Sequence, residues 1–286
     1  APGCIDVNGD LDTTHAGLLA VEDAHLMADW PAPIDLDGLQ YLVGLQELTI
    51  TGGNDTITNL PLPHSLKLLE LGQVVWGVPP MLPDGLRKFI AESSQMSMLP
   101  SWPSQLEVIR LHQDFQISDI PPLPSSLTTL QIIRCHGLLS VPVIPAGVRL
   151  LTLARGSLPQ VTTFRSACDS LILMDLTWSF LPPLPVGIQY LDLHHLYYVS
   201  TVPQLPDGLR ELKVTSISGL TLPGTMPDSC RRLTFRSNTW AAPLPLLPEG
   251  TEDLTFYLDG IQAIPALPVG LRNLSVSECD SLSVLP

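Results

Sequence analysis

Charge is scarce in this chain. Only 15% of its 286 residues are Asp, Glu, Lys or Arg, and aromatic residues make up 6%. The charges present are lopsided, because 28 acidic against 14 basic residues leave a formal net charge of −14. Proteins that hold phosphate need the opposite balance, so nucleic acid and anionic membrane surfaces are disfavoured as partners. No stretch approaches the 18 uninterrupted apolar residues of a membrane-spanning helix, so no transmembrane segment is expected. The five cysteines, Cys4, Cys135, Cys168, Cys230 and Cys279, are scattered and never form a C-x-x-C pair. They indicate neither a disulfide framework nor a closed zinc site, and read as single buried thiols.

Catalytic signatures are missing as well. No P-loop, G-x-S-x-G, H-E-x-x-H or dinucleotide fingerprint occurs. His194 and His195 are the only adjacent histidines, and neighbours on a strand point to opposite faces. The C-D-S triplets at Cys168 and Cys279 are not framed as active sites. The chain reads as a non-enzyme that needs no cofactor and no metal.

What is present is apolar and repetitive. Apolar residues make up 45% of the chain and there are 29 prolines, about twice the usual share. Proline in such numbers breaks helices and strands unless it sits where no backbone donor is needed. It does so at regular intervals, in a unit P-x-x-L-x-x-L-x-L: PHSLKLLEL from Pro63, PSQLEVIRL from Pro103, PVGIQYLDL from Pro185 and PVGLRNLSV from Pro268 are clear copies. The first apolar anchors fall at 45, 66, 86, 106, 127, 148, 171, 188, 209, 230, 251 and 271. The steps between them are 20 or 21 residues, apart from 23 and 17 on either side of Leu171. Twelve such units specify a leucine-rich-repeat solenoid.

Within L-x-x-L-x-L the last positions alternate, as a short strand with one buried face requires. About 12 strands should therefore pair in parallel into a concave sheet, with an extended, polyproline-like convex side, since 20 residues leave no room for a full helix. The region 44–286 forms the array, irregular near 155–187, where the uneven steps predict a local bulge. Eight residues beyond the anchor, Cys135, Cys279 and Asn238 suit a buried turn position, whereas Val74, Leu196 and Ile217 do not. Residues 1–43 are expected to form a cap, with one amphipathic helix over Thr14 to Trp30 and a short second one over Asp37 to Val43. Asp6, Asn8, Asp10 and Asp12 alternate like the start of a calcium loop, but Leu11 and Gly17 stand where Gly and Glu are required. The A-P-G-C opening reads as a trimmed terminus, with lipidation of Cys4 the weaker reading.

Residues two, four and six past each anchor form the exposed strand face. In the first half these include Arg110 and His112. In the second half they include Asp175, Tyr190, Asp192, His194, Lys213, Arg232, Arg236 and Tyr257, with Lys213, Arg232 and Arg236 expected as a basic island beside Asp175 and Asp192. Aromatic and arginine side chains dominate binding energy at protein interfaces, so this face is the candidate partner-binding surface.

The L-P-x-L-P-x-x-L-x-x-L-x-L unit resembles the leucine-rich repeats of bacterial effectors secreted into host cells, over about 85% of the chain from Leu45 to Pro286. That resemblance implies a protein-binding array with a helical N-terminal cap, secreted and active in the host cytoplasm. Some members of the family add a C-terminal ubiquitin-ligase domain with a C-x-D cysteine. No such domain is expected within residues 1–286, where Cys279-Asp280 does not match C-x-D, and any ligase activity would have to lie beyond residue 286. The repeats of social amoebae built on F-N-I-P share the L-P-x-x-L-x-x-L core. The alternative function is an extracellular or surface-anchored module that binds a glycan or receptor.

Overall fold

The computed structural model describes residues 20–28, 34–76, 78–94, 96–113, 116–156, 158–161, 163–164, 168–216, 219–237, 244–258, 261 and 263–283. The chain divides into two compact units, Ala1–Pro145 and Ala146–Pro286. The first holds β1 (Asp23–Ala28), β2 (Ile34–Asp35), β3 (Glu47–Asn59), β4 (Leu68–Trp76), β5 (Lys88–Glu92), β6 (Val108–His112) and β7 (Thr129–Ile133). The second holds β8 (Leu150–Gly156), β9 (Ser170–Leu176), β10 (Tyr190–His194), β11 (Glu211–Thr215), β12 (Arg232–Ser237), β13 (Asp253–Leu258) and β14 (Asn273–Ser277). Pairing is parallel, and in each unit the strands follow one another in chain order, with β2 set aside against β3. No α-helix occurs among the described residues. This is a leucine-rich-repeat solenoid.

The anchor column explains the packing. Leu45, Leu66, Leu86, Leu106 and Leu127 are fully buried in the first unit, as are Val148, Ile188, Leu209 and Cys230 in the second. The strand that follows starts two residues later, and in strands such as Tyr190–His194 buried positions alternate with half-exposed ones, whereas β14 is exposed throughout. Four prolines of the first unit (Pro63, Pro83, Pro103 and Pro124) close a turn by accepting, through their carbonyls, a hydrogen bond from the anchor amide at 3.0–3.2 Å. A carbonyl is all that this position requires, so proline's missing N–H costs nothing there. One residue past each anchor a single carbonyl then accepts two amides of the following repeat, as Lys67 does from Arg87 and Lys88 at 2.8 and 2.9 Å.

The expected helix over Thr14 to Trp30 gives way to a strand across 23–28; residues 14–19 and 29–30 lie outside the described residues, as do Cys4, the acidic run from Asp6 to Asp12, and Asn238. Ala24 and Leu26 are half-buried while Asp23, His25 and Met27 are exposed, which is a period of two. The Glu22 carbonyl accepts from Gln46 and Glu47 at 2.7 and 3.0 Å, the same forked bond that joins later repeats. Residues 21–28 are thus one more repeat, with Val21 in the anchor place. Six residues carry too little periodicity to separate a helix stripe from a strand, and the unpaired edge of β3 decides the matter. The second expected helix shrinks to a 3-10 turn over Leu39–Tyr41.

The expected bulge near Leu171 is also corrected. The anchor of that repeat is Cys168, fully buried, and Leu171 takes the next buried place. Strand β9 pairs with β8 as Leu150↔Ser170 through Ala154↔Met174, and with β10 without a shift. A thiol is small and apolar enough to fill a leucine place. Cys230 does the same, and burial pushes both thiols up to about 11, so they stay protonated and inert near neutral pH.

A second column sits seven residues past the anchor. Gln73, Ser93, Gln113 and Arg134 in the first unit, and Arg155, Asp175, His195, Ser216 and Glu278 in the second, all have φ between 49° and 62°. This left-handed conformation costs an L-residue roughly 1–2 kcal/mol. It is repaid in part because the same residue donates its amide to the next repeat, Gln113 to the Ile133 carbonyl at 2.8 Å and His195 to that of Thr215 at 3.0 Å. None of the nine is β-branched, the class least tolerant of this region. One residue further, Cys135 lies 3.7 Å from the Leu111 carbonyl and Ser94 lies 3.4 Å from that of Leu71, so this place binds the turn backbone where a polar atom is available.

One anchor departs from the apolar rule. Thr251 is fully buried, and its hydroxyl has no hydrogen-bond partner. A buried unsatisfied hydroxyl costs about 1–3 kcal/mol, and valine has nearly the same shape. Thr251→Val should therefore raise the denaturant midpoint, by about 1 kcal/mol of stability, whereas Leu209→Ala at an equivalent place should lose about 2–5 kcal/mol.

Candidate functional site: the strand face

The strand-face candidates in the first unit are Arg110, exposed, and His112, half-buried, both on β6. They are on one strand two residues apart, and so on one face. The remaining candidates all belong to the second unit, where they come together in two groups.

The first group is a charged lattice on β10 to β13. Tyr190 donates its hydroxyl to Asp192 at 3.1 Å and receives a hydrogen bond from the Lys213 ammonium at 3.1 Å. That ammonium also lies 5.0 Å from the Tyr190 ring centre and 3.1 Å from Glu211. Arg232 reaches Glu211 at 3.1 Å and Asp253 at 3.3 Å. Arg236 stands 5.3 Å from the Tyr257 ring centre, a cation–π placement. The expected basic island is therefore an alternating lattice. Glu211 carries two of the cations, a partner that a count of basic residues passes over. A cleft of about 420 Å³ lies here, lined by Tyr190, Arg210, Glu211, Arg231, Arg232 and Asp253 among others.

The second group is at the C-terminal ends of β9 and β10. Asp175 accepts from Arg155 at 3.0 Å through one carboxylate oxygen, and its other oxygen lies 2.7 Å from Nδ1 of His195. His194 stacks on His195 with ring centres 4.0 Å apart, and Tyr197 stacks on the far side at 5.6 Å. Strand alternation would have put the two histidines on opposite faces. The left-handed turn at His195 cancels it and brings the rings side by side. Burial, reinforced by the neighbouring His195, lowers the affinity of His194 for a proton, and its Nδ1 is buried without a hydrogen-bond partner. Arg155 and His195 are thus site residues that strand alternation hides. The signal that finds them is the fixed offset of seven from a correct anchor.

Both groups are open, half-exposed arrays of paired charges and aromatic rings, suited to contact with a large partner.

The alkaline behaviour of the first group follows from its contacts. Burial raises the Tyr190 hydroxyl above its ordinary 10.0. Burial works against the Lys213 charge, yet the hydrogen bonds to Tyr190 and Glu211 prevail and raise it above 10.5. Both groups hold their protons longer folded than unfolded. Their contribution is complete below pH 10 and is lost as pH climbs through the folded values. Tyr190→Phe should flatten the fall in melting temperature above pH 10 and leave the curve at pH 7 to 9 parallel to wild type.

The fold has counterparts among solved structures. YopM from Yersinia enterocolitica superposes with a TM-score of 0.60 at 23% identity, over 85% of this chain and 58% of that one. YopM of Yersinia pestis, described as a leucine-rich effector protein, gives 0.60 at 18% identity, over 82% and 77%. CroV588, described as a novel circular leucine-rich-repeat protein, gives 0.53 at 16% identity, over 92% and 49%. The chain spans little more than half the length of the first of these, and at such identities the likeness is one of fold. No family model and no curated protein matches the sequence.

Proposed function

We propose that the chain is a non-catalytic, protein-binding scaffold, secreted by a bacterium as an effector and engaging a host protein through the strand face of its second unit. The carrying observation is the set of aromatic and arginine side chains on β10, β12 and β13, Tyr190, Arg232, Arg236 and Tyr257, joined through Lys213 and Glu211 of β11 in a charged lattice. Such side chains are the usual anchors of protein interfaces. The repeat resemblance and the YopM-like fold support delivery into the host cytoplasm. No helix among the described residues is long and apolar enough to cross a membrane. The second reading, an extracellular or surface-anchored module for a glycan or receptor, draws on the exposed Tyr197 and Tyr198, since aromatic faces stack on sugars.

The experiment is an affinity capture from host-cell lysate with wild type and an Arg232→Glu/Arg236→Glu variant, both first checked for folding by circular dichroism. A protein retained by wild type and lost by the folded variant is the expected result. Equal retention by both would exclude this face as the docking surface. No specific retention by either, together with binding to a glycan array, would favour the second reading.

A further inference from the structure

The ends of β9 and β10 carry more than a docking face requires. Asp175, His194 and His195 each offer a donor atom within 4.8 Å of the other two. Among the described residues no other trio of His, Cys, Asp and Glu comes as close. Two imidazoles and one carboxylate are a familiar donor set for zinc and its first-row neighbours.

Several features beyond proximity favour an ion. The Nδ1 atom of His194 is buried and unpartnered, a vacancy that costs stability unless something accepts its lone pair. Asp175 is already oriented, because Arg155 holds one carboxylate oxygen at 3.0 Å and leaves the other facing His195. Such outer-sphere bonding to a ligating carboxylate is the usual support of a metal site. The backbone fixes two of the three donors, since Asp175 and His195 are equivalent left-handed residues of consecutive repeats. The side chains of Asp175 and His195 are 25% and 32% exposed, so an ion has a path in and room for water or a partner's donor.

We infer that Asp175, His194 and His195 bind one divalent transition-metal ion of the zinc type, which clips two neighbouring repeats together and presents open coordination positions on the strand face. Bonds of about 2.0–2.2 Å bring such donors to roughly 3.3 Å of one another. The two rings therefore turn out of their stack, 23° from parallel, toward the ion. The ion takes the place of the hydrogen between Nδ1 of His195 and Asp175, and the neutral ring then carries its one N–H on Nε2. The guanidinium of Arg155 opposes the cation's charge and weakens its binding.

The test uses the full chain, treated with a chelator and carrying Cys4→Ser and Cys279→Ser to remove competing thiol ligands. Zn²⁺ is titrated by calorimetry, and Co²⁺ by visible absorption as a reporter of geometry. Saturable binding of one equivalent of Zn²⁺ and a Co²⁺ d–d band are expected. Asp175→Asn and His195→Gln, both at half-exposed places and verified by circular dichroism, should each weaken binding at least tenfold, with His64→Gln unchanged. Absence of saturable Zn²⁺ binding and of a Co²⁺ band would overturn the inference. So would one-equivalent binding that survives both substitutions.

Discussion

A single repeat of this chain has an apolar stripe and nothing of its own to bury it against. Every other feature follows from the need to press that stripe onto the next repeat. The anchor residues vanish from solvent because the neighbouring anchors cover them. The strands are parallel and sequential because each repeat advances the chain by one ladder spacing. Proline is tolerated in such quantity because the lattice asks it for a carbonyl and not for an amide.

The same lattice fixes where side chains point. At offsets two, four and six they stand on the strand face, and at offset seven the chain turns left-handed and aims the side chain along the end of the strand. Chemistry at that end is therefore a product of position. Arg155, Asp175 and His195 form a polar ladder because they share one offset in three consecutive repeats. The strand face itself is largely self-paired, with Glu211 bridging Lys213 and Arg232. Paired charges of this kind fix orientation and reject the wrong partner, while the aromatic rings supply the apolar contact.

Much of this was legible in the sequence. A period of 20 or 21 residues and an alternating L-x-x-L-x-L strand specify the solenoid and all but one of the twelve expected strand registers. The exception is instructive, since Cys168 fills the anchor place and restores steps of 20 and 20 residues, whereas the uneven count rests on Leu171, three residues on. The extra strand at Asp23–Ala28 was illegible for another reason, because six residues fit a helix stripe and an edge strand equally well, and the neighbouring strand decides between them. The face candidates from Tyr190 to Tyr257 were found by counting. Glu211 and Asp253 fall at the same offset of two, but which charges pair, as Arg232 does with both, is set by side-chain reach across strands. The histidine pair was misjudged by the rule of strand alternation, which fails where φ is positive.

That reversal of side-chain direction at offset seven is the central point, and the histidine pair reports on it most directly. The measurement is a nuclear Overhauser experiment between the ring protons of His194 and His195 in the native protein. Rings 4.0 Å apart give a strong cross-peak, and one is expected. Its absence, with each ring in contact only with residues on its own side of the strand, would mean that the chain runs straight through His195, and the ladder with Asp175 would not exist.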